Sequence, residues 1–173
     1  MIVVVAEVEN LKRNLLLFSQ IKDLQIPSIL VINMADLMER KGISIDVDLL
    51  KSQFKTEIIL ISSRKNIGID ALKKEIENYS NWNTETMPDI SQKIDKRFFT
   101  DLRNSFSEFS LYKSWLLVTQ QQHCHFLTED QHKKINTIIS DSEKIKKYQH
   151  KETIYRYQII NEFLKKSFKI DKA

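Results

Sequence analysis

Glycine is almost missing from this chain: Gly42 and Gly68 are the only two among 173 residues, where about 7% would be usual. A loop that cradles phosphate needs glycines so that several backbone N–H groups can converge on an anion. Neither GxxxxGK[ST] nor GxGxxG occurs, so the sequence holds no triphosphate by such a loop. Cysteine is reduced to Cys124, which excludes an internal disulfide and suits a reducing compartment. Long apolar runs are absent as well. The longest, Met1 to Ala6, is far short of the roughly 20 residues that cross a bilayer. No basic segment precedes it and Glu7 and Glu9 follow, which is unlike a secretory leader. With 42% apolar and 29% charged residues, a soluble, cytoplasmic globular chain is expected.

What is present divides into two parts. Up to about residue 80, strand-like and helix-like patterns alternate. Ile2 to Val5 is a β-branched run of the kind buried on both faces of a sheet. Leu11, Leu15, Leu16, Phe18 and Ile21 then recur at helical spacing. Pro27 precedes a second buried strand, Ser28 to Ile32. Leu49, Leu50 and Phe54 predict a short helix capped by Asp46 or Asp48. Ile58 to Ile61 is a third apolar run, and Asp70 opens an amphipathic helix with Leu72, Ile76 and Tyr79. The order β-α-β-α-β-α implies an α/β fold with a parallel sheet of three strands and right-handed crossovers.

Residues 81–88 have linker composition, and 89–173 read as an all-α domain of three to five helices without strands. Ile94, Phe98, Leu102 and Phe106 form one stripe, and Ile135, Ile138 and Ile139 another. Ile154, Tyr157, Ile160 and Leu164 mark a last helix over roughly 152–168. The first 86 residues carry 11 basic and 12 acidic side chains and the remainder 16 and 11, so the positive excess lies in the helical part.

The second strand runs into Asn33-Met34-Ala35-Asp36. In an open α/β sheet, ligands bind beyond the carboxyl ends of the strands. A guanine presents its ring N–H and exocyclic amine side by side, and one carboxylate accepts both in a charge-assisted pair. Adenine lacks that pair, and such a mismatch rejects a ligand by factors on the order of 10⁴. An N-x-x-D tetrapeptide alone is weak, because two fixed residues recur by chance at about one position in 400, and an Asn–Asp turn is the plain reading. A second loop adds weight: the third strand ends in Ser62-Ser63-Arg64-Lys65-Asn66-Ile67-Gly68. Its first residues match the S-A-K-like loop that offers backbone N–H groups to the guanine oxygen in guanine-nucleotide-binding domains, with Arg64 in the lysine position.

The segment from Val3 to Leu50 resembles the cytoplasmic G domain of the ferrous iron transport protein B family. An N-L-x-R-N-L helix lies at Asn10 to Leu15, I-P at Ile26-Pro27, N-M-x-D at Asn33 to Asp36, and K-G-I-x-I-D at Lys41 to Asp46. Further on, Trp115 matches the tryptophan of an R-W-L-x-L-K-L-L segment, and Arg156-Tyr157 match an R-Y-x-x-I segment. The resemblance implies the C-terminal part of a P-loop-type G domain over residues 1–80, a linker over 81–88, and a helical, GDI-like regulatory domain over 89–173. It also implies GTP or GDP as ligand, with only the guanine moiety held by this stretch. Asn33, Met34, Asp36, Ser62, Ser63 and Arg64 are the implied binding residues, with no catalytic residue and no metal ligand. For the intact transporter, the resemblance implies GTP binding linked to Fe(II) uptake at the cytoplasmic face of the inner membrane, with the membrane permease part as partner.

Departures from the family pattern limit that expectation. The phosphate-binding loop, switch threonine and D-x-x-G motif have no counterpart here, Glu7 stands where a strand usually ends in Asp, and Met34 takes a lysine slot over the base. Phosphoryl transfer depends on backbone amides, lysine and magnesium around the transferring group. This stretch alone is therefore expected to bind nucleotide weakly or not at all, to hold no Mg²⁺, and not to hydrolyse GTP. The alternatives are a GTPase-derived protein-interaction module, with homo-oligomerisation through an exposed sheet edge, and a fragment of a ribosome-associated GTPase. His123-Cys124-His125 suits a soft metal in residue type, but three adjacent residues rarely converge on one ion, so a packing role is expected. The Lys144 to Lys147 cluster reads as a solvated helical face, with no nucleic acid as partner.

Overall fold

The structure is a computed structural model that describes residues 1–139 and 141–170. Three strands, β1 (Ile2–Glu7), β2 (Ser28–Asn33) and β4 (Ile58–Leu60), form a parallel sheet in the order β1-β2-β4. Helix α1 (Leu11–Asp23) joins β1 to β2. Helix α2 (Ala35–Arg40), the short strand β3 (Ile43–Ile45) and helix α3 (Val47–Phe54) lead to β4, and α4 (Ile69–Glu77) follows. Beyond these lie α5 (Ser91–Ser105), α6 (Leu111–Thr119), α7 (Glu129–Ile138), α8 (Ser142–Ser167) and β5 (Phe168–Ile170). The expected α/β class with a parallel sheet and a helical part is what forms.

The unbroken apolar run Ile29 to Ile32 within β2 follows from the strand's central position. Side chains alternate across a sheet, and both faces here are covered. Leu30 and Ile32 join Leu15, Phe18, Leu50, Phe54 and Ile160 in one core. Ile29 and Val31 join Ile61 and Trp82 in a second, with Leu72 and Ile76 of α4 packed on it. Each fully buried aromatic or aliphatic side chain contributes about 2–3 kcal/mol. In β1, Val4 and Ala6 enter the first core, whereas Val5 is 58% exposed on the outer strand. Asp46 caps α3, its carboxylate accepting from the Leu49 N–H at 3.0 Å.

The chain forms two compact units. One comprises Met1–Met87 and the stretch from Arg156 onward, the other Pro88–Tyr155. In the second, Phe99, Leu102, Phe106, Trp115, Ile135 and Tyr148 build a core of their own. Helix α5 breaks at Asp95, whose backbone is extended (φ −163°, ψ 102°) and whose carboxylate accepts from the Phe98 N–H at 2.9 Å. The Tyr148 hydroxyl donates to the same carboxylate. Those hydrogen bonds, with Lys144 nearby, hold the Asp95 carboxyl below the usual range.

Two sequence expectations need correction. No strand was expected beyond residue 88, yet Phe168–Ile170 pairs antiparallel with Ile43–Ile45, with Ser44 opposite Lys169. A three-residue strand carries no readable period and exists only through its partner. The last helix starts at Ser142 rather than near 152. Its buried stripe, Ile145, Tyr148, Glu152, Arg156 and Ile160, is continuous at helical spacing but charged in the middle, which masks the apolar period.

Lys22, on α1, is 1% exposed. Its ammonium donates to the carbonyls of Lys55 at 3.0 Å and Asn83 at 2.9 Å. Burial lowers its pKa to about 8, against the pull of Glu85 and Asp23. Between about pH 8 and the ordinary lysine value near 10.4, the unfolded chain binds a proton at residue 22 that the folded chain has lost, so the stability contributed by Lys22 rises with pH across that window. The unfolding free energy of the wild type minus that of Lys22→Met is expected to increase from pH 8 to pH 10. A flat or falling difference in denaturant titrations would contradict the assignment.

Candidate functional site

Two loops leave the carboxyl ends of adjacent parallel strands. After β2, Asn33 turns its side chain back on the chain, and its Oδ1 accepts from the Met34 N–H at 2.8 Å. Met34 adopts the left-handed region (φ 70°, ψ 33°), a conformation costing a non-glycine residue about 1–2 kcal/mol. It persists because its surroundings fix it. The Ala35 N–H donates to the Ile61 carbonyl across the strands at 2.9 Å, and the Met34 side chain packs against the first core. Strained backbone of this kind concentrates at binding sites.

The loop after β4 closes on itself. Ser62 and Ile67 exchange two backbone hydrogen bonds of 3.1 Å, and Gly68, in the left-handed region at φ 77°, starts α4. A Cβ on Gly68 would sit 2.4 Å from the Leu60 carbonyl oxygen, so only glycine fits there.

Side chains tie the two loops together. The Ser62 hydroxyl donates to Asp36 Oδ1 at 2.7 Å and accepts from the Lys65 N–H at 3.3 Å. Asn33 Nδ2 donates to Ser63 Oγ at 3.2 Å, while Asn33 Oδ1 also accepts from the Ser63 N–H at 3.2 Å. Arg64 reaches Asp36 Oδ2 at 3.4 Å; its side chain is 72% exposed and that of Asp36 10%. The Ser62 hydroxyl is the main cause that lowers the Asp36 pKa, helped by Arg64 and Lys65 and opposed by desolvation. Asp36 is therefore an ionised acceptor at neutral pH.

Asn33, Asp36, Ser62, Ser63 and Arg64 thus form one hydrogen-bonded cluster. Met34 contributes its backbone to that cluster and its side chain to the core. The backbone N–H of Ser62 is used by Ile67 and that of Ser63 by Asn33. Sequence reasoning missed two parts: the Ser62 hydroxyl as the brace of the carboxylate, and Gly68. The scarcity of glycine was the available signal for the latter, since a retained glycine marks a position needing positive φ.

His123, Cys124 and His125 lie in the second unit, where Cys124 and His125 line a cavity of about 600 Å³ with His132 and Lys146. Among the described residues, no three His, Cys, Asp or Glu side chains are grouped to hold a metal ion. Nor, among those residues, is any helix long and apolar enough to cross a membrane.

Gly68→Ala combines a disfavoured φ with a backbone clash. It is expected to lower stability by about 2 kcal/mol or more, measured by denaturant unfolding; a loss below about 0.5 kcal/mol would contradict the geometry.

Residues 1–76 match the family model for ferrous iron transport protein B. The Fe(2+) transporter FeoB of Escherichia coli K12 is 39% identical over 82 residues, covering 47% of this chain and 11% of that protein. Its Salmonella typhimurium LT2 counterpart is 37% identical over 76 residues, covering 44% of this chain and 10% of that protein. The chain thus spans about a tenth of the length of the curated relatives it matches. The solved cytosolic domain of L. pneumophila FeoB superposes with a TM-score of 0.77 at 26% identity, covering 96% of this chain and 67% of that one. That of T. maritima FeoB in its apo form reaches 0.81 at 16% identity over the same shares, a likeness of fold alone. The same domain has been solved in GDP and GMPPNP forms. The chain is thus similar over residues 1–76 to ferrous iron transport protein B, and as a whole it has the fold of the solved FeoB cytosolic domains.

Proposed function

We propose that this stretch is the guanine-recognising part of the nucleotide switch in a ferrous iron transporter, joined to the helical domain that couples it to a membrane permease. In the longer protein, on this reading, GTP binding at the cytoplasmic face of the inner membrane is linked to Fe(II) uptake. One observation carries the reading: the Asp36 carboxylate, ionised and braced by Ser62, stands beside the Asn33–Ser63 pair at the carboxyl ends of β2 and β4. Support also comes from the GDP and GMPPNP forms of the T. maritima domain and from the name Fe(2+) transporter carried by the relatives.

Chemically, Asp36 accepts the ring N–H and exocyclic amine of the base, and the loop after β4 faces the guanine oxygen. Asn33 fixes the spacing between the loops. Nothing in the sequence supplies a glycine-rich phosphate cradle, so phosphates and Mg²⁺ gain little from these residues and GTP is not hydrolysed by them alone. Base recognition by itself is worth little. A purine of about 11 non-hydrogen atoms at ~0.3 kcal/mol each gives a Kd in the millimolar range.

Asp36→Asn tests the reading. An amide offers one acceptor and one donor, which mismatches guanine but matches xanthine, where a carbonyl replaces the amine. Titration is expected to show guanosine binding by the wild type and a switch toward xanthosine in Asp36→Asn. Wild-type binding should persist to pH values below the ordinary aspartate range, because the Asp36 pKa is lowered and the site fails only as pH falls through it. Unchanged guanosine preference in the variant would overturn the assignment.

A further inference from the structure

The chain leaves the first unit after Met87 and returns to it at Arg156, and both points meet the same carboxylate. Asp23, near the end of α1, accepts from the Met87 N–H through Oδ1 at 2.8 Å and pairs with Arg156 Nη2 through Oδ2 at 2.7 Å. The pair is withdrawn from water, with Arg156 4% and Asp23 14% exposed. The second hand of the guanidinium, Nη1, donates to Ser19 Oγ at 3.3 Å, and that hydroxyl donates to the Leu16 carbonyl at 2.7 Å. Lys22, beside Asp23, holds the carbonyl of Asn83 just upstream of Met87. Ser19, Lys22 and Asp23 are spaced i, i+3 and i+4, so one face of α1 carries all three. Apolar packing backs the arrangement: the Met87 side chain is buried in the first core, as is Ile160 one turn beyond Arg156.

We propose that Asp23 is a positioning residue that ties the departure and return points of the 88–155 excursion to α1, making the two junctions move as one. The inference is independent of what binds at the sheet's carboxyl end. Its physical basis is that a buried ion pair is a poor source of net stability but a good source of register. Planar two-handed guanidinium binding fixes Arg156 in one rotamer, and the two oxygens of one carboxylate cannot move separately. Displacing either junction therefore leaves a desolvated charge or amide at the other. Helix α1 begins just after the carboxyl end of β1 and ends at Asp23, so any motion of α1 reaches both junctions together.

Hydrogen exchange on the full chain tests this, with Asp23→Asn and Arg156→Lys against the wild type at matched pH. In each variant, peptides covering 84–90 and 154–160 are expected to exchange about tenfold faster, while β2 and the core of α6 stay within about twofold. The informative case is Arg156→Lys, because the Arg156 guanidinium pairs with one oxygen of Asp23 while the other oxygen accepts from the Met87 N–H, so acceleration at 84–90 is the response expected through the shared carboxylate. Acceleration of one junction alone, of neither, or of all four regions alike would overturn the proposal, the last because Asp23 would then act only on global stability. Should Asp23→Asn fail to fold, Arg156→Lys carries the same comparison.

Discussion

The hydrogen bond from the Ser62 hydroxyl to the Asp36 carboxylate joins the ends of two neighbouring strands, and the arrangement of the site depends on it. Parallel strands deliver their following loops to the same edge of a sheet, but strand pairing alone does not orient side chains there. Here Ser62 is buried and held by the hydrogen bonds it exchanges with Ile67, so its hydroxyl is a fixed donor. It keeps Asp36 charged and aimed while the residue is largely withdrawn from water. Asn33 adds a second tie through Ser63, and the left-handed Met34 is the local strain that the ties sustain. Preorganisation of this kind lets a small ligand bind without ordering two loops at the same time.

Much of this was legible in residues 1–80. The all-apolar run of β2 announces a strand covered on both faces, and Asn33 and Asp36 announce a polar end. Their spacing was readable because it lies within one loop. The Ser62–Asp36 contact was not, since 26 residues separate the partners and no local pattern specifies which polar atom of a loop meets which. The strands β3 and β5 were invisible for a related reason: each is three residues long and defined by the other.

The start of α8 is not legible in the sequence because charge interrupts the helix's buried stripe. Glu152 and Arg156 occupy positions where apolar residues would complete the pattern of Ile145, Tyr148 and Ile160. Buried charges read as surface in a sequence, yet Lys22 and Arg156 are among the most withdrawn polar groups of the first unit, and their neighbour Asp23 is only 14% exposed. Their partners are a carboxylate, a hydroxyl and main-chain groups distant in sequence, and only such partners make burial tolerable. The two polar clusters of this unit differ in character. At the sheet's carboxyl end, exposed Arg64 stands beside the shielded Asp36 and Ser62 where a ligand would approach, while around Asp23 the groups bind the chain itself.

The central claim is that the loops after β2 and β4 form a single recognition surface for guanine. Amide spectra recorded during guanosine titration of the isotope-labelled chain address it most directly. The account predicts that the largest shifts fall together on the Asn33 side-chain amide and on the backbone amides of Asp36, Ser63, Arg64 and Lys65. Shifts confined to the cavity around Cys124 and His132, or scattered without the two loops responding in concert, would contradict it.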